Sequence, residues 1–412
     1  MTQPSRLHLF QAFGVELEYM IVDRDTLVIR PIADELLKKV LGNYGSDFDN
    51  GLITWSNELV LHVIELKSSQ PEINLNGLAH GFADNVKKIN GILGEWNAML
   101  MPTAAHPFMD PRTETKLWPH DSNEVYAIYN QIFDCRGHGW SNLQSTHLNL
   151  PFYDDEEFTK LHAAIRLVLP LLPALCASSP LLDGQPTGWL DTRLSYYKLN
   201  QSRIPSITGK VVPEAVFSKR QYFNQIYEKI KADIAPFNAD NILDPIWVNS
   251  RGAIPRFDRG SIEIRIMDIQ ECPQVDLAIQ NLVIETVKAL VTEQFCNLEE
   301  QMKAHTEILS GILDDTARFG QQTEILSSEY PAIFGMTAPC TALQLWRHIF
   351  ERLIGQNASP IKEWSQEIET ILREGTLSDR ILKLLQNDFS KDSIINTYRR
   401  VSNCLAQDKM MI

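Results

Sequence analysis

Glu16 and Glu18 stand two residues apart in "GVELEYMIVD" (14–23), where Val15, Leu17, Tyr19 and Ile21 alternate with Glu16, Glu18, Met20 and Val22. A period of two marks a strand whose successive side chains leave opposite faces. The two carboxylates therefore share a face, about 7 Å apart. At an effective dielectric near 20 their repulsion costs about 2 kcal/mol. A solvated sheet face would tolerate them without further explanation. Clustered acids also suit a cation-dependent enzyme, and the rest of the chain has to decide between the two.

Three further stretches carry polar groups on apolar, strand-like runs. In "SNELVLHVIELKSSQPE" (56–72), Glu58 and Glu65 are seven residues apart. An odd separation puts them on opposite faces of one flat strand. They converge only if the chain bends between them or Glu58 sits on a preceding loop; otherwise Glu58 is a surface residue and Glu65 pairs with Lys67. In "SNLQSTHLNLPF" (141–152), Ser145, His147 and Asn149 share one face, and Thr146, Leu148 and Leu150 the other. Three polar groups in line on so apolar a segment suggest a cleft lining, although a lone histidine is commonly structural. A neutral imidazole nitrogen of His147 is able to ligate a metal.

"RFDRGSIEIRIMDIQECP" (256–273) is the most informative stretch. Ser261, Glu263, Arg265 and Met267 fall on one face, with Ile262, Ile264 and Ile266 on the other. An exposed Glu263–Arg265 pair would be worth little. Yet Arg256, Arg259 and Arg265 lie within ten residues of a chain whose net charge is −14. Guanidinium groups beside a carboxylate-rich face suit a site that holds metal and phosphate together.

The elements that must position these groups follow from periodicity. Strands are predicted over 13–23, 59–67, 143–150 and 261–269, and helices over 77–100, 156–169, 214–232 and 275–295. Beyond Leu298 strand signals almost vanish, and 341–354, 361–374 and the tail to about 406 read as amphipathic helices. The fold class expected is α+β, with a catalytic body over 1–298 and a helical carboxyl-terminal region over 299–412 packed on it. No G-x-G-x-x-G follows a strand, and "SITGKVV" (206–212) lacks the spacing of a phosphate loop.

Bulk composition narrows the partners. With 412 residues, 44% of them hydrophobic and 22% charged, the chain suits a globular protein with a large core. Its acidity argues against nucleic acid and anionic membranes. The six cysteines are scattered without a C-x-x-C pair, as expected of free thiols in a reducing compartment. "MTQPSRLHLF" lacks the apolar core of a signal peptide. The apolar run 161–182 contains Arg166, Pro170 and Pro173, so it reads as a buried helix that breaks at its prolines. A cytoplasmic location is expected.

Taken in order, the four stretches resemble the type 2 glutamate–cysteine ligases, ATP-dependent carboxylate–amine ligases, and more remotely the glutamine synthetase superfamily. The signature is a Glu-x-Glu strand, a Glu pair, a His-bearing strand and a late Glu-x-Arg strand. The segment 178–209, which supplies Asp191, Arg193 and Arg203, is also similar to the family's linking stretch. Family members often carry His-x-His where this chain has His147 and Asn149, which leaves the substrate contact at the second position open.

The resemblance implies a curved, mainly antiparallel, glutamine synthetase-like sheet whose concave face holds the acids. It implies that Glu16, His147 and Glu263 hold one Mg²⁺ or Mn²⁺ ion, and that Glu18, Glu58 and Glu65 hold another. ATP is the implied co-substrate, and Arg265 the residue that meets the transferring phosphate. Asn149, Arg193, Arg203, Arg256 and Arg259 are candidates for substrate or nucleotide. The implied reaction activates the γ-carboxylate of glutamate as an acyl phosphate and joins it to an amine such as cysteine. A guanidino phosphotransferase on the related fold, and a non-catalytic metal- or nucleotide-binding protein, are the alternatives. Small-molecule partners are expected, and homo-oligomerisation is left open.

Overall fold

The computed structural model describes residues 6–121, 123–238, 241–355 and 360–412, so the first five residues of the amino-terminal stretch lie outside the described residues. Eight strands form the main sheet: β1 (Gly14–Asp23), β2 (Asp47–Asn50), β3 (Ile53–Asn57), β4 (Val63–Ser68), β5 (Ala98–Met101), β6 (Ser145–Pro151), β7 (Ala253–Arg256) and β8 (Ser261–Asp268). Their order is β2-β3-β4-β1-β6-β8-β7. β1 pairs with β4 along one edge; along the other it pairs first with β6 and then with β5. Every pairing is antiparallel.

The strands predicted near 13–23, 143–150 and 261–269 form. The strand predicted over 59–67 forms only from Val63, as β4; Glu58 and the residues up to His62 lie in the loop between β3 and β4. The helix predicted over 77–100 runs Leu75–Gly94 and gives way to a turn at 95–97, where Asn97, with a φ of +54°, leads the chain into β5. The helix predicted over 214–232 begins only at Lys219, after the Ser218 side chain caps the Gln221 N–H, and continues through a π-helical stretch to Ile234. The apolar run 161–182 breaks at its prolines, into Asp155–Val168, a turn at Leu169–Leu171 and Pro173–Cys176. Among the described residues no helix is long and apolar enough to cross a membrane.

The two faces of the sheet have different jobs. Val15, Leu17, Tyr19 and Ile21 are fully buried in one core with Phe82 and Val86 of Leu75–Gly94, Leu161 of Asp155–Val168 and Leu282 of Pro273–Val291. The Gln280 side chain of the last helix donates to Thr146 Oγ1 on β6, which fixes that helix on this face. Each aliphatic side chain so buried contributes about 1.5–3 kcal/mol. The opposite face is divided along β1. Met20 and Val22, with Met99 and Met101 of β5, are covered by Leu377, Ile381, Ile394 and Tyr398 of the carboxyl-terminal helices Leu377–Leu385 and Lys391–Gln407. The half that carries Glu16 and Glu18 is not.

Among the described residues after 298 the regular structure is helical apart from two two-residue strands, and buried apolar side chains such as Leu309, Leu313, Trp346 and Ile371 share the core of β1. The Arg380 guanidinium is paired with Glu271, just beyond β8, whose carboxylate also accepts the Met411 N–H at 3.1 Å. Both side chains are buried. The body and the helical region are therefore expected to unfold together, with coincident far-UV and near-UV circular dichroism transitions in urea. Arg380→Ala, which leaves Glu271 buried and unpaired, should lower stability by about 3–5 kcal/mol. A wild-type urea midpoint in that variant would count against the lock.

Candidate active site

Register brings the acids together. Across β1 and β6, Glu16 faces His147 and Gly14 faces Asn149. Across β1 and β4, Glu16 faces Lys67 and Glu18 faces Glu65. Across β6 and β8, Glu263 faces Asn149. Glu65 faces Ser56 of β3, and Glu58 follows two residues later within reach of the charges on Glu18, His147 and Glu16. One oxygen each of Glu16 and Glu263 and a ring nitrogen of His147 lie within 4.8 Å of one another.

Hydrogen bonds fix this cluster. His147 Nδ1 is 2.7 Å from Glu16 Oε2, and Asn149 Nδ2 donates to Glu16 Oε1 at 3.2 Å. A side chain at Gly14 would put its Cβ 3.0 Å from that of Asn149, so glycine makes the room. Glu18 Oε2 accepts the backbone N–H of Ser145 at 2.7 Å and its hydroxyl at 3.0 Å. The same hydroxyl is 3.0 Å from His147 Nε2. Lys67 Nζ stands 2.9 Å from Asp47 and 3.6 Å from Glu65, so Glu65 both pairs with Lys67 and faces Glu18.

The charges set the titration. Burial would raise Glu16, but the hydrogen bond and charge of His147, then Arg265 and Lys67, hold it down to about 2. Burial would lower His147, but Glu16 and then Glu18 raise it above the ordinary imidazole value. Burial, then the Glu18 charge, lifts Glu58 to about 7. Burial, then Glu16 and Glu58, push Glu65 well above the usual range against the pull of Lys67.

The arginines separate. β8 carries a bulge at Arg265 and Ile266, both opposite the single residue His147, because Ile264 pairs with Leu148 and Met267 with Thr146. The extra residue corrects the predicted alternation. Met267 turns into the helix-side core, and Asp268 lands on the acid face opposite Ser145. Arg265 stays there, with Nε 3.0 Å and Nη2 2.8 Å from Glu263 Oε1. Arg193 is buried against Asp268, Nε to Oδ1 at 2.5 Å. Arg256 shares the face of Ser261 at the end of the β7–β8 pair. Arg203 is exposed, donates to the Ile132 carbonyl at 2.9 Å and lies over the Phe237 ring. Arg259 is exposed beside Asp258. Neither is brought to the acids by these contacts.

Sequence reasoning missed the part Ser145, Asp268, Tyr126 and Tyr197 play here. Strand parity already put Ser145 on the His147 face. Tyr126 lies 3.4 Å from Asn57 beside Glu58, and Tyr197, near enough to Arg265 to feel its charge, donates to the Ser250 carbonyl; no local pattern announces either.

The fold is that of known ligases. It matches a bifunctional glutathione synthetase from Pasteurella multocida with a TM-score of 0.66 and 14% identity, over 97% of this chain and 53% of that one. It matches glutamate–cysteine ligase from Francisella tularensis, solved in complex with AMP, with a TM-score of 0.61 and 13% identity, over 98% and 90%. The chain belongs to glutamate–cysteine ligase family 2, whose model matches residues 12–320. An uncharacterised protein of Archaeoglobus fulgidus is 30% identical over 402 residues, 97% of this chain and 100% of that one. A protein of Bradyrhizobium sp. named "Putative glutamate--cysteine ligase 2" is 24% identical over 297 residues, 70% of this chain. The match spans 63% of that relative, under two thirds of its length.

The raised Glu58 gives a stability test in chelator. An acid raised from 4.5 to about 7 by folding contributes stability that is complete below 4.5 and lost as pH climbs through 7. Glu65 acts in the same direction, while Glu16, held near 2, loses its contribution only as pH falls below 4.5. Between pH 5 and 7.5 the wild type should lose roughly 1–2 kcal/mol through Glu58, discounted for its partial exposure. Glu58→Gln should flatten that slope in urea unfolding. An unchanged slope would remove Glu58 from the cluster.

Proposed function

We propose that this protein is an ATP-dependent carboxylate–amine ligase that activates the γ-carboxylate of glutamate and joins it to an amine such as cysteine. The observation that carries the reading is the Glu16–His147–Glu263 group beside Arg265, on the sheet of a glutamate–cysteine ligase family member. Carboxylate oxygens with one imidazole nitrogen are a donor set that Mg²⁺ or Mn²⁺ accepts. Glu58, raised to about 7, and Glu65, raised well above the usual carboxyl range, both by burial and then by their neighbours' charges, are acids whose ionised form a cation would favour, so the residues fit the metal. Glu16, His147 and Glu263 would hold one ion, and Glu18, Glu58 and Glu65 a second. Bound there, the cations would offset the charge of the nucleotide phosphates.

The chain's own groups position the rest. A substrate carboxylate oxygen attacks the γ-phosphorus, the bond to the β-phosphate oxygen breaks, and ADP leaves. The amine nitrogen then attacks the acyl carbon, phosphate departs, and the nitrogen releases its proton. Arg265 neutralises the phosphoryl group in flight with a planar fork that Lys cannot reproduce. Asn149 and His147 clamp the two oxygens of Glu16 and keep the acids from splaying. Arg193 and Arg256 are the further cations suited to substrate or nucleotide. We place the reaction in the cytoplasm, where ATP is supplied and the free cysteines stay reduced.

ADP release across a panel of amino acids and amines, with product masses, tests the reading. An amide product with ADP supports it, and a phosphorylated guanidine or no turnover at all overturns it. Arg265→Lys should lower kcat about tenfold or more while raising the KM for ATP far less. Unchanged kinetics would reduce Arg265 to a structural ion pair. Glu18→Gln should abolish turnover, leave the metal-free protein as stable or more so, and shrink the Mg²⁺-induced rise in Tm. Equal Mg²⁺ shifts with full activity would mean that Glu18 binds no cation.

A further inference from the structure

Ser145 touches one member of each proposed ion group, His147 and Glu18, through a single hydroxyl. The ladder between β1 and β6 ends at Leu17 and Thr146, one residue short of Glu18 and Ser145. The Ser145 N–H therefore leaves the backbone ladder and goes to Glu18 Oε2 at 2.7 Å. Ser145 Oγ lies 3.0 Å from that same oxygen and 3.0 Å from His147 Nε2. Strand parity puts the side chains of Ser145 and His147 on one face, and both are buried there.

A hydroxyl offers one hydrogen, so it donates to one of these neighbours and accepts from the other. Glu18 Oε2 already accepts the Ser145 N–H and is an acceptor here. If the hydroxyl donated to the ring instead, its oxygen would face Oε2 at 3.0 Å with no hydrogen between them. The arrangement that satisfies both contacts runs one way: His147 Nε2–H donates to Ser145 Oγ, and the Ser145 hydrogen goes to Glu18. That leaves the other ring nitrogen for the acids. Nδ1 is 2.7 Å from Glu16 Oε2 and 4.0 Å from Glu263 Oε1, so it faces both carboxylates of the Glu16–His147–Glu263 group.

We propose that Ser145 is a positioning residue for the cation site: by accepting from Nε2 it commits His147 to ligate through Nδ1, and by donating to Oε2 it fixes Glu18 beside the ring. The role rests on the cation reading of the acids and names the nitrogen that reading requires. Without the hydroxyl, the imidazole is free to take either tautomer, and Glu18 Oε2 keeps only the backbone N–H. A partner on the far ring nitrogen is what orients a metal-ligating histidine, and losing such a partner weakens metal binding by roughly 10–100-fold.

Two measurements on the full chain test it without turnover. The first is ¹⁵N-histidine NMR of the Mg²⁺-loaded wild type, with the His147 ring assigned by its loss in His147→Gln. That ring should carry hydrogen on Nε2 and none on Nδ1; hydrogen on Nδ1 overturns the proposal. The second is Mn²⁺ affinity, from titrations that follow the electron paramagnetic resonance signal of the free ion. Ser145→Ala should weaken Mn²⁺ binding about tenfold or more. Ser145→Thr, which restores a hydroxyl, should recover most of that loss. Wild-type Mn²⁺ affinity in Ser145→Ala overturns the role even if that protein melts lower, because a merely structural serine would change the melt alone. If Ser145→Ala fails to fold, the ring tautomer of the wild type decides. A wild type that binds no Mn²⁺ overturns the cation reading itself, a different result from tight binding that ignores Ser145.

Discussion

Four carboxylates on one sheet face, from Glu16, Glu18, Glu65 and Glu263, with Glu58 from the loop between β3 and β4, repel one another, and the rest of the site answers that repulsion. Three cationic or protonatable groups stand among them. His147 bridges Glu16 and approaches Glu18, Arg265 neutralises Glu263, and Lys67 lies beside Glu65. The compensation is partial: Glu58 and Glu65 keep protons that ordinary carboxyls would lose. A face built this way is costly without compensating positive charge. Glu16, His147 and Glu263 within it are a group that could hold a metal ion.

Such a face has to be held in place from behind. Val15, Leu17, Tyr19 and Ile21 of β1 are aliphatic or aromatic and fully buried, and three long helices close over them. That core resists the strain of crowded charges, because a strand cannot rotate its acids apart without exposing Val15 and Leu17. Glu16 and Glu18 are thus positioned by hydrogen bonds on one side of the strand and by hydrophobic burial on the other.

The helical last third closes one end of the same face. Met20 and Val22 continue the row of Glu16 and Glu18, but they lie under Leu377, Ile381 and Tyr398. The boundary between the acid half and the apolar half falls between Glu18 and Met20, so the carboxyl-terminal helices form a wall beside the candidate site. Glu271 and Arg380 tie that wall to the end of β8, the strand that carries Glu263 and Arg265.

What the sequence determined by itself is the direction in which side chains leave each strand. The period of two is a property of local backbone dihedrals, so Glu16 with Glu18, and Ser145 with His147 and Asn149, were legible as shared faces without a partner strand. The bounds of Ala342–Ile354 and the carboxyl-terminal end of Lys391–Gln407 were legible for the same local reason. The tertiary structure alone decided which faces meet. Register across β1, β4, β6 and β8 depends on hydrogen bonds between residues as far apart as Gly14 and Asn149, and nothing near Glu16 names Glu263 as its neighbour. The loop from Glu58 to His62, which shortens the predicted strand and separates β3 from β4, and the bulge at Arg265, which sends Met267 inward and Asp268 outward, were not legible locally. A side chain's face is written locally; its partner is chosen by the whole sheet.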